Sequence, residues 1–330
     1  MLQLRVYSPT NHTQAVTAVL ADNPAVSVLS VDTGASIKPA GDVITADVAR
    51  EAANAIIDEL VAIGVHHDGT IALTPIPTWI SQAGLDADQR APGEESDAVV
   101  WAESAQEAYK SSTISWSYLS FMVLATLLAS IAIILDSQIL VIAAMVLGPE
   151  FGAVAAMGLA LVRHRYALLR RAILALAVGF FVAIAVTSLV TLVGRALGWV
   201  TVIQVEAPRP DTQFIYTPDK WSFLVALIAG VAGVLALTSQ RSGGLVGVFI
   251  SVTTIPAAGN IALGIAFWLP AEIWGSTIQL LLNITGMAIS GWATLEAQKI
   301  IFRCTFGNSG NATVELSGGE FRAIKTQFLN

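Results

Sequence analysis

The stretch Ala144-Met145-Val146-Leu147-Gly148-Pro149-Glu150-Phe151-Gly152 decides how this 330-residue chain is read. It lies halfway along an apolar run that extends from 138 to 162. Counted at about 1.5 Å per residue, each end of that run lies roughly 18 Å of helix from Glu150. A bilayer core is roughly 30 Å thick, so the proline and the carboxylate fall near its centre. Proline removes one helical hydrogen bond and clashes with the preceding turn, which predicts an interrupted helix at that depth. An interrupted backbone within hydrocarbon is tolerated only inside protein or beside a water-filled cavity. The interruption therefore marks a candidate site.

Composition supports a membrane setting for that run. Hydrophobic residues make up 55% of the chain, charged residues only 12%, and the mean hydropathy is +0.68. Soluble domains carry about 25% charged residues, and disorder needs still more charge. Six apolar runs, at about 116–135, 138–162, 172–194, 221–238, 245–269 and 273–295, have the ~17–25 residues of a membrane span. Arg163, Arg165, Arg170 and Arg171 follow the second run, Arg241 the fourth, and Lys299 and Arg303 the sixth. All three clusters share one side if both termini are cytoplasmic. Trp116 and Tyr118 read as an interfacial aromatic belt before the first span.

The charge is unevenly divided. Residues 1–110 hold 5 basic and 15 acidic residues, a net of −10, whereas 111–330 net +3. An acidic segment repels nucleic acid and anionic lipid, so the first part reads as a cytosolic domain with no nucleic-acid partner. Leu2, Leu4 and Val6 alternate as in a strand, and further strands are expected around Val26 to Val31, Val43 to Val48 and Thr70 to Leu73. Helical stretches follow Thr13 and span Ala53 to Val61, ending at Gly64. The order is βαββαβ, an α+β ferredoxin-like sandwich. The expected divisions are a ferredoxin-like domain at 1–78, a linker with a short amphipathic helix at 79–115, a six-span domain at 116–298, and a cytosolic tail at 299–330. Short strands are expected in that tail at 314–316 and 321–328.

The membrane part carries an internal repeat. Phe121 to Gln138 aligns with Phe223 to Gln240, placing Ser137-Gln138 on Ser239-Gln240; farther on, Pro149 falls on Pro256 and Gly152 on Gly259. Three spans per unit turn the second unit upside down, and 3+3 inverted repeats are an architecture of secondary transporters. Pro256 also falls near mid-membrane. The expected ion- or solute-binding residues are Gly148, Pro149, Glu150, Thr253, Thr254, Pro256 and Asn260, short polar groups beside freed backbone. A mid-membrane carboxylate such as Glu150 needs a proton or cation to neutralise it. The other reading is a helix-start Glu after proline, held by the helix dipole at a subunit contact.

Asp136 and Ser137, in a tight link between runs, read either as a cap for the next helix or as a gate. Asn283 and Thr285 either pack between helices or line a path. Gly194 with Gly198, and Gly243 with Gly247, are GxxxG pairs, from which close helix approach and a homo-oligomer are expected. Cys304 is the single cysteine, His66-His67 reads as a polar turn, and no catalytic set or metal cluster is spaced in the sequence. No enzyme activity and no cofactor are expected.

The blocks Leu135-Asp136-Ser137-Gln138, Ala144 to Pro149, and Leu245-Val246-Gly247-Val248 to Ile255-Pro256 resemble the prokaryotic domain-of-unknown-function 389 family of hydrophobic membrane proteins. The resemblance covers roughly 115–300. Glu150-Phe151-Gly152 departs from the apolar or small residues of many relatives after the Gly-Pro. The resemblance implies a bacterial or archaeal inner membrane and supplies no substrate. The function expected is a secondary-transporter-like protein moving a small solute or ion, with proton or cation coupling through Glu150. Two other readings stay open: an oligomeric ion channel, and a membrane-anchored sensor or scaffold working through the soluble domain.

Overall fold

Alternation of buried Leu2, Leu4 and Val6 with the outward Gln3, Arg5 and Tyr7 makes strand β1 (Leu2–Ser8), with one face on a core. The computed structural model describes residues 1–91, 100–217, 220–238 and 254–306. Two compact units are formed, one of residues 1–104 together with the described residues from Ile300 on, the other of residues 105–299. In the first, β1 is followed by helix α1 (Thr10–Ala21), strands β2 (Val26–Ile37) and β3 (Ala40–Val48), helices α2 (Ala53–Ile63) and α3 (Val65–Asp68), and strand β4 (Thr70–Pro75). The sheet is antiparallel throughout, in the order β2-β3-β1-β4. Val16 and Leu20 of α1 and Ile56 and Leu60 of α2, each pair one helical turn apart, bury against Leu4, Val6, Ile44 and Ala46. Gly64 ends α2 with φ of 91°, the left-handed cap that glycine adopts without steric cost.

Residues expected as linker fold onto this unit. Ser81 caps helix α4 (Gln82–Arg90) by accepting from the Gly84 N–H at 3.1 Å, and Trp79 and Ala91 pack on the core. Helix α5 (Trp101–Ser111) is the expected amphipathic segment; its Trp101 N–H donates to Asn54 Oδ1 at 3.0 Å, and Glu103 meets the buried Arg50 at 2.8 Å. The acidic run Glu94 to Asp97 lies outside the described residues. His66 and His67 sit in the short helical turn α3.

The second unit holds the apolar helices. Helices α6 (Trp116–Ile134), α9 (Tyr166–Ala196) and α13 (Pro270–Phe306) contain segments long and apolar enough to cross a membrane. Helices α7 (Gln138–Leu147) and α8 (Glu150–Val162) form a pair bent by 57° that counts as a fourth span if taken together. After the short α10 (Val202–Glu206) come α11 (Lys220–Thr238) and α12 (Thr254–Phe267). Their apolar stretches, Lys220–Leu235 and Thr254–Phe267, are shorter than a full span. Of the six expected spans, the described residues show three long helices, one bent pair at the expected interruption, and two shorter apolar helices that border residues outside the described ones. The first half of the expected 245–269 span, the pair Gly243/Gly247, and the expected tail strands lie outside those residues, while α13 runs past the expected end at 298 to Phe306.

One device turns the chain at four helix ends. Asp136, His164, Gly198 and Trp268 take φ of 45°, 51°, 74° and 57°. The next N–H in each case donates five residues back: Ser137 to Ala132, Arg165 to Ala160, Trp199 to Gly194 and Leu269 to Gly264, at 2.8–2.9 Å. This Schellman pattern satisfies carbonyls that a helix end leaves open. Three of the four positions lack glycine, so sequence alone gives no cue to them.

One expectation for the helix faces is corrected. Trp116 is exposed, as a belt residue would be, but Tyr118 is buried with its ring over Gly179 and its hydroxyl donating to the Ala175 carbonyl at 3.2 Å. Within one chain, Gly198 faces open space and Gly194 meets only Val200, at the end of α9. Close approach occurs elsewhere. A Cβ at Gly158 of α8 would lie 3.1 Å from the Trp292 nitrogen of α13, and one at Gly259 of α12 would lie 3.0 Å from Ala129 of α6.

The positive φ at the exposed His164 carries a steric cost that β-branching worsens. His164→Val is expected to lower stability by about 1–2 kcal/mol and His164→Gly to leave it unchanged or slightly raised, read as Tm of the purified protein in detergent. In the first unit, Asp42 accepts from Thr13 Oγ1 at 2.5 Å and from the Gly34 N–H at 2.7 Å. These bonds, the Thr13 hydroxyl foremost, hold its carboxyl below the ordinary 3.8. Their contribution is present above that value and is lost as pH falls through the lower folded value. Hydrogen-exchange protection at Gly34 is expected to follow this course, and Thr13→Val to move the loss to higher pH.

Candidate functional site

One helix begins in the interior of the second unit, and its first residue meets the second apolar half. Helix α7 stops at Leu147, Gly148 and Pro149 turn the chain, and Glu150 opens α8. Thr254 of α12 donates its Oγ1 to Glu150 Oε1 at 2.6 Å across 104 residues of sequence. Glu150 is 1% exposed and Thr254 is fully buried. The start of a helix concentrates unsatisfied N–H groups and the positive end of its dipole, so a carboxylate there is electrostatically favoured. The contact joins the break at Pro149 to a residue two positions before Pro256.

Gly148 makes the approach possible. A Cβ there would lie 2.7 Å from Ile255 Cγ1 and would also strike the Glu150 carboxylate. Pro149 occupies the position before α8, where its missing N–H costs nothing. Pro256 lies in the described part of α12, and the residues before Thr254, where its expected break would fall, lie outside the described residues. Thr253 lies outside the described residues.

The surroundings are protein. Of the 14 residues of α12, only Ile265 is exposed. Three side chains hold its carbonyls: Ser130 Oγ on Gly259 at 3.2 Å, Ser188 Oγ on Ala262 at 3.3 Å, and Arg195 Nη1 on Ala266 at 2.8 Å. Such enclosure is the condition under which helix starts at membrane depth can persist.

Asn260 is not beside Glu150. It lies about 9 Å farther along α12 at 1.5 Å per residue, in a second polar group. Its Oδ1 accepts from Arg209 Nη1 at 3.2 Å, and its Nδ2 donates to Ser276 Oγ at 2.9 Å. Arg209 also pairs with Glu272 and stacks over Tyr216 at 4.9 Å. It is 4% exposed although it comes from a loop. Asp136 anchors that loop, accepting from Thr212 Oγ1 at 2.8 Å and from the Asp211 N–H at 3.4 Å. Capping of α7 falls to Ser137, whose Oγ accepts from the Leu140 N–H at 3.5 Å.

The sequence reading singles out none of Arg209, Glu272, Ser276 and Gln279 as site residues. A signal for the latter two existed: Ser276, Gln279 and Asn283 fall at i, i+3 and i+7 in an apolar helix. Thr285, paired with Asn283 in that reading, is exposed, while Asn283 is fully buried. Among the described residues no group of three or more His, Cys, Asp or Glu is placed to hold a metal.

An uncharacterised protein of Methanocaldococcus jannaschii is 26% identical over 207 residues, 63% of this chain and 62% of that relative. The chain thus spans less than two thirds of that relative's length. No solved structure matches it. Residues 145–289, which contain Glu150, Thr254, Asn260, Arg209 and Glu272, match the family described as "Domain of unknown function (DUF389)", the family that the sequence resembles.

Proposed function

We propose that this is a secondary-transporter-like membrane protein that moves a small solute or ion past Glu150, with a proton or cation neutralising the carboxylate. The observation that carries this reading is the buried Glu150–Thr254 bond, which ties the break at Pro149 to the second apolar half. A helix start in mid-membrane aimed at a charged group is the arrangement by which broken-helix transporters hold charged species. The packing supports two interleaved halves: α8 of the first lies on α13 through Gly158, and α12 of the second lies on α6 through Gly259. An inverted 3+3 repeat accounts for this packing.

The Arg209–Glu272 pair closes over Asn260. A closed end favours alternating access over the ion-channel reading, in which the same residues would line an open pore. The membrane is read as the cytoplasmic membrane, with both termini on the side of Arg163 to Arg171 by the positive-inside rule. The ferredoxin-like first unit would then act in the cytosol in regulation or assembly of a homo-oligomer.

In proteoliposomes bearing a proton gradient, with Na⁺, K⁺ and small organic solutes presented in turn, the native chain is expected to couple proton movement to one of them. Glu150→Gln should abolish that coupling while the protein stays folded and monodisperse; native-like coupling in this variant would sink the assignment. Thr254→Val leaves the buried carboxylate without one donor and is expected to cost about 1–3 kcal/mol of stability, with Thr254→Ser restoring most of it. Thermal unfolding in detergent reads both.

A further inference from the structure

We propose that the buried face of α13 bearing Ser276, Gln279 and Asn283 is an aqueous half-path for a small hydrophilic cation, running from the Arg209–Glu272 pair toward Glu150. The proposal extends the role given to Glu150 above and names the substrate class. Its foundation is Gln279, which is 1% exposed and whose Nε2 and Oε1 have no hydrogen-bond partner among the described residues. A primary amide kept dry in that state loses its hydrogen bonds at both ends. Packing between helices accounts for Ser276, which accepts from Asn260, but it gives Gln279 nothing to bond. Water or a passing solute does.

The position of Gln279 follows from the hairpin of α12 and α13. Gly264 lies against Ile273, and Asn260 bonds Ser276, so the helices run antiparallel with known register. Continued along that register, Gln279 falls opposite Ala257 and Asn283 opposite Thr254, the residue that bonds Glu150. From Ser276 to Asn283 the face rises about 10 Å. Polar side chains thus descend in steps from the ion pair to the level of the carboxylate.

The ion pair has the form of a gate. Arg209 and Glu272 bond one another across 63 residues, yet Arg209 Nε and Glu272 Oε2 have no hydrogen-bond partner among the described residues. Separation of the pair frees Glu272 at one end of the path, with Glu150 at the other. Both fixed acids favour a cation over an anion.

The single Cys304 makes the test direct, since Cys304→Ser gives a cysteine-free background. In the full chain reconstituted in liposomes, Gln279→Cys is treated with a trimethylammonium or a sulfonate methanethiosulfonate, and labelling is followed by intact mass. Ala262→Cys, buried on α12 away from this face, is the control. The cationic reagent is expected to label position 279 at least about tenfold faster than the anionic one and than position 262, with Arg209→Gln raising the rate about tenfold more. Equal rates at 279 and 262, a faster anionic reagent, or no effect of Arg209→Gln would overturn the path. Rapid labelling together with native coupling in Glu150→Gln would leave the path standing and remove the role of Glu150. An inert position 279 with coupling lost in Glu150→Gln would do the reverse.

Discussion

A helix start inside an apolar bundle, at Glu150, sets the constraint that the rest of the second unit answers. Such a start leaves up to four N–H groups without an intrahelical partner, and lipid offers none. The chain meets the demand by placing Glu150 at that start, bonding it to Thr254, and sealing α8 and α12 within protein. Small residues permit that sealing: Gly158 on α13, Gly259 on α6 and Gly148 on Ile255 let backbones approach where any larger side chain would hold them apart. Ser130, Ser188 and Arg195 then hold the carbonyls of α12 from neighbouring elements.

The second polar group obeys a different balance. Burying Arg209 and Glu272 removes two charges from water, and their mutual attraction repays this only when the remaining donors and acceptors are met. Asn260 and the ring of Tyr216 meet part of the need. An ion pair held on such terms adds little to stability but fixes one arrangement, because losing either partner strands the other. The loop that delivers Arg209 is itself fastened by Asp136 through Thr212 and Asp211. One tight link between α6 and α7 thus controls a side chain 73 residues away in sequence.

What the sequence could disclose was governed by what its patterns measure. Hydropathy and proline report depth and interruption, so Gly148, Pro149 and Glu150 were legible, as was the pairing of their break with the region of Thr254. Period-two alternation located the strands of the first unit. Neither pattern names a neighbour. Tyr118 sits at a helix start like a belt residue, and only the proximity of Gly179 turns it inward. Arg209 lies among prolines in a polar loop, where nothing signals a return into the bundle. The turns at Asp136, His164 and Trp268 depend on φ values that these residue types rarely adopt.

The enclosure of α12 also governs how this protein can vary. A helix that faces hydrocarbon exchanges Leu for Ile or Phe with little penalty, since fluid chains accommodate either shape. Ala257, Ala258, Ala262, Gly264 and Ala266 have no such compliant neighbour; dense protein surrounds each of them. Enlarging one side chain there requires another to shrink. Drift at the centre of the molecule is therefore confined to compensated pairs, while its periphery changes one residue at a time.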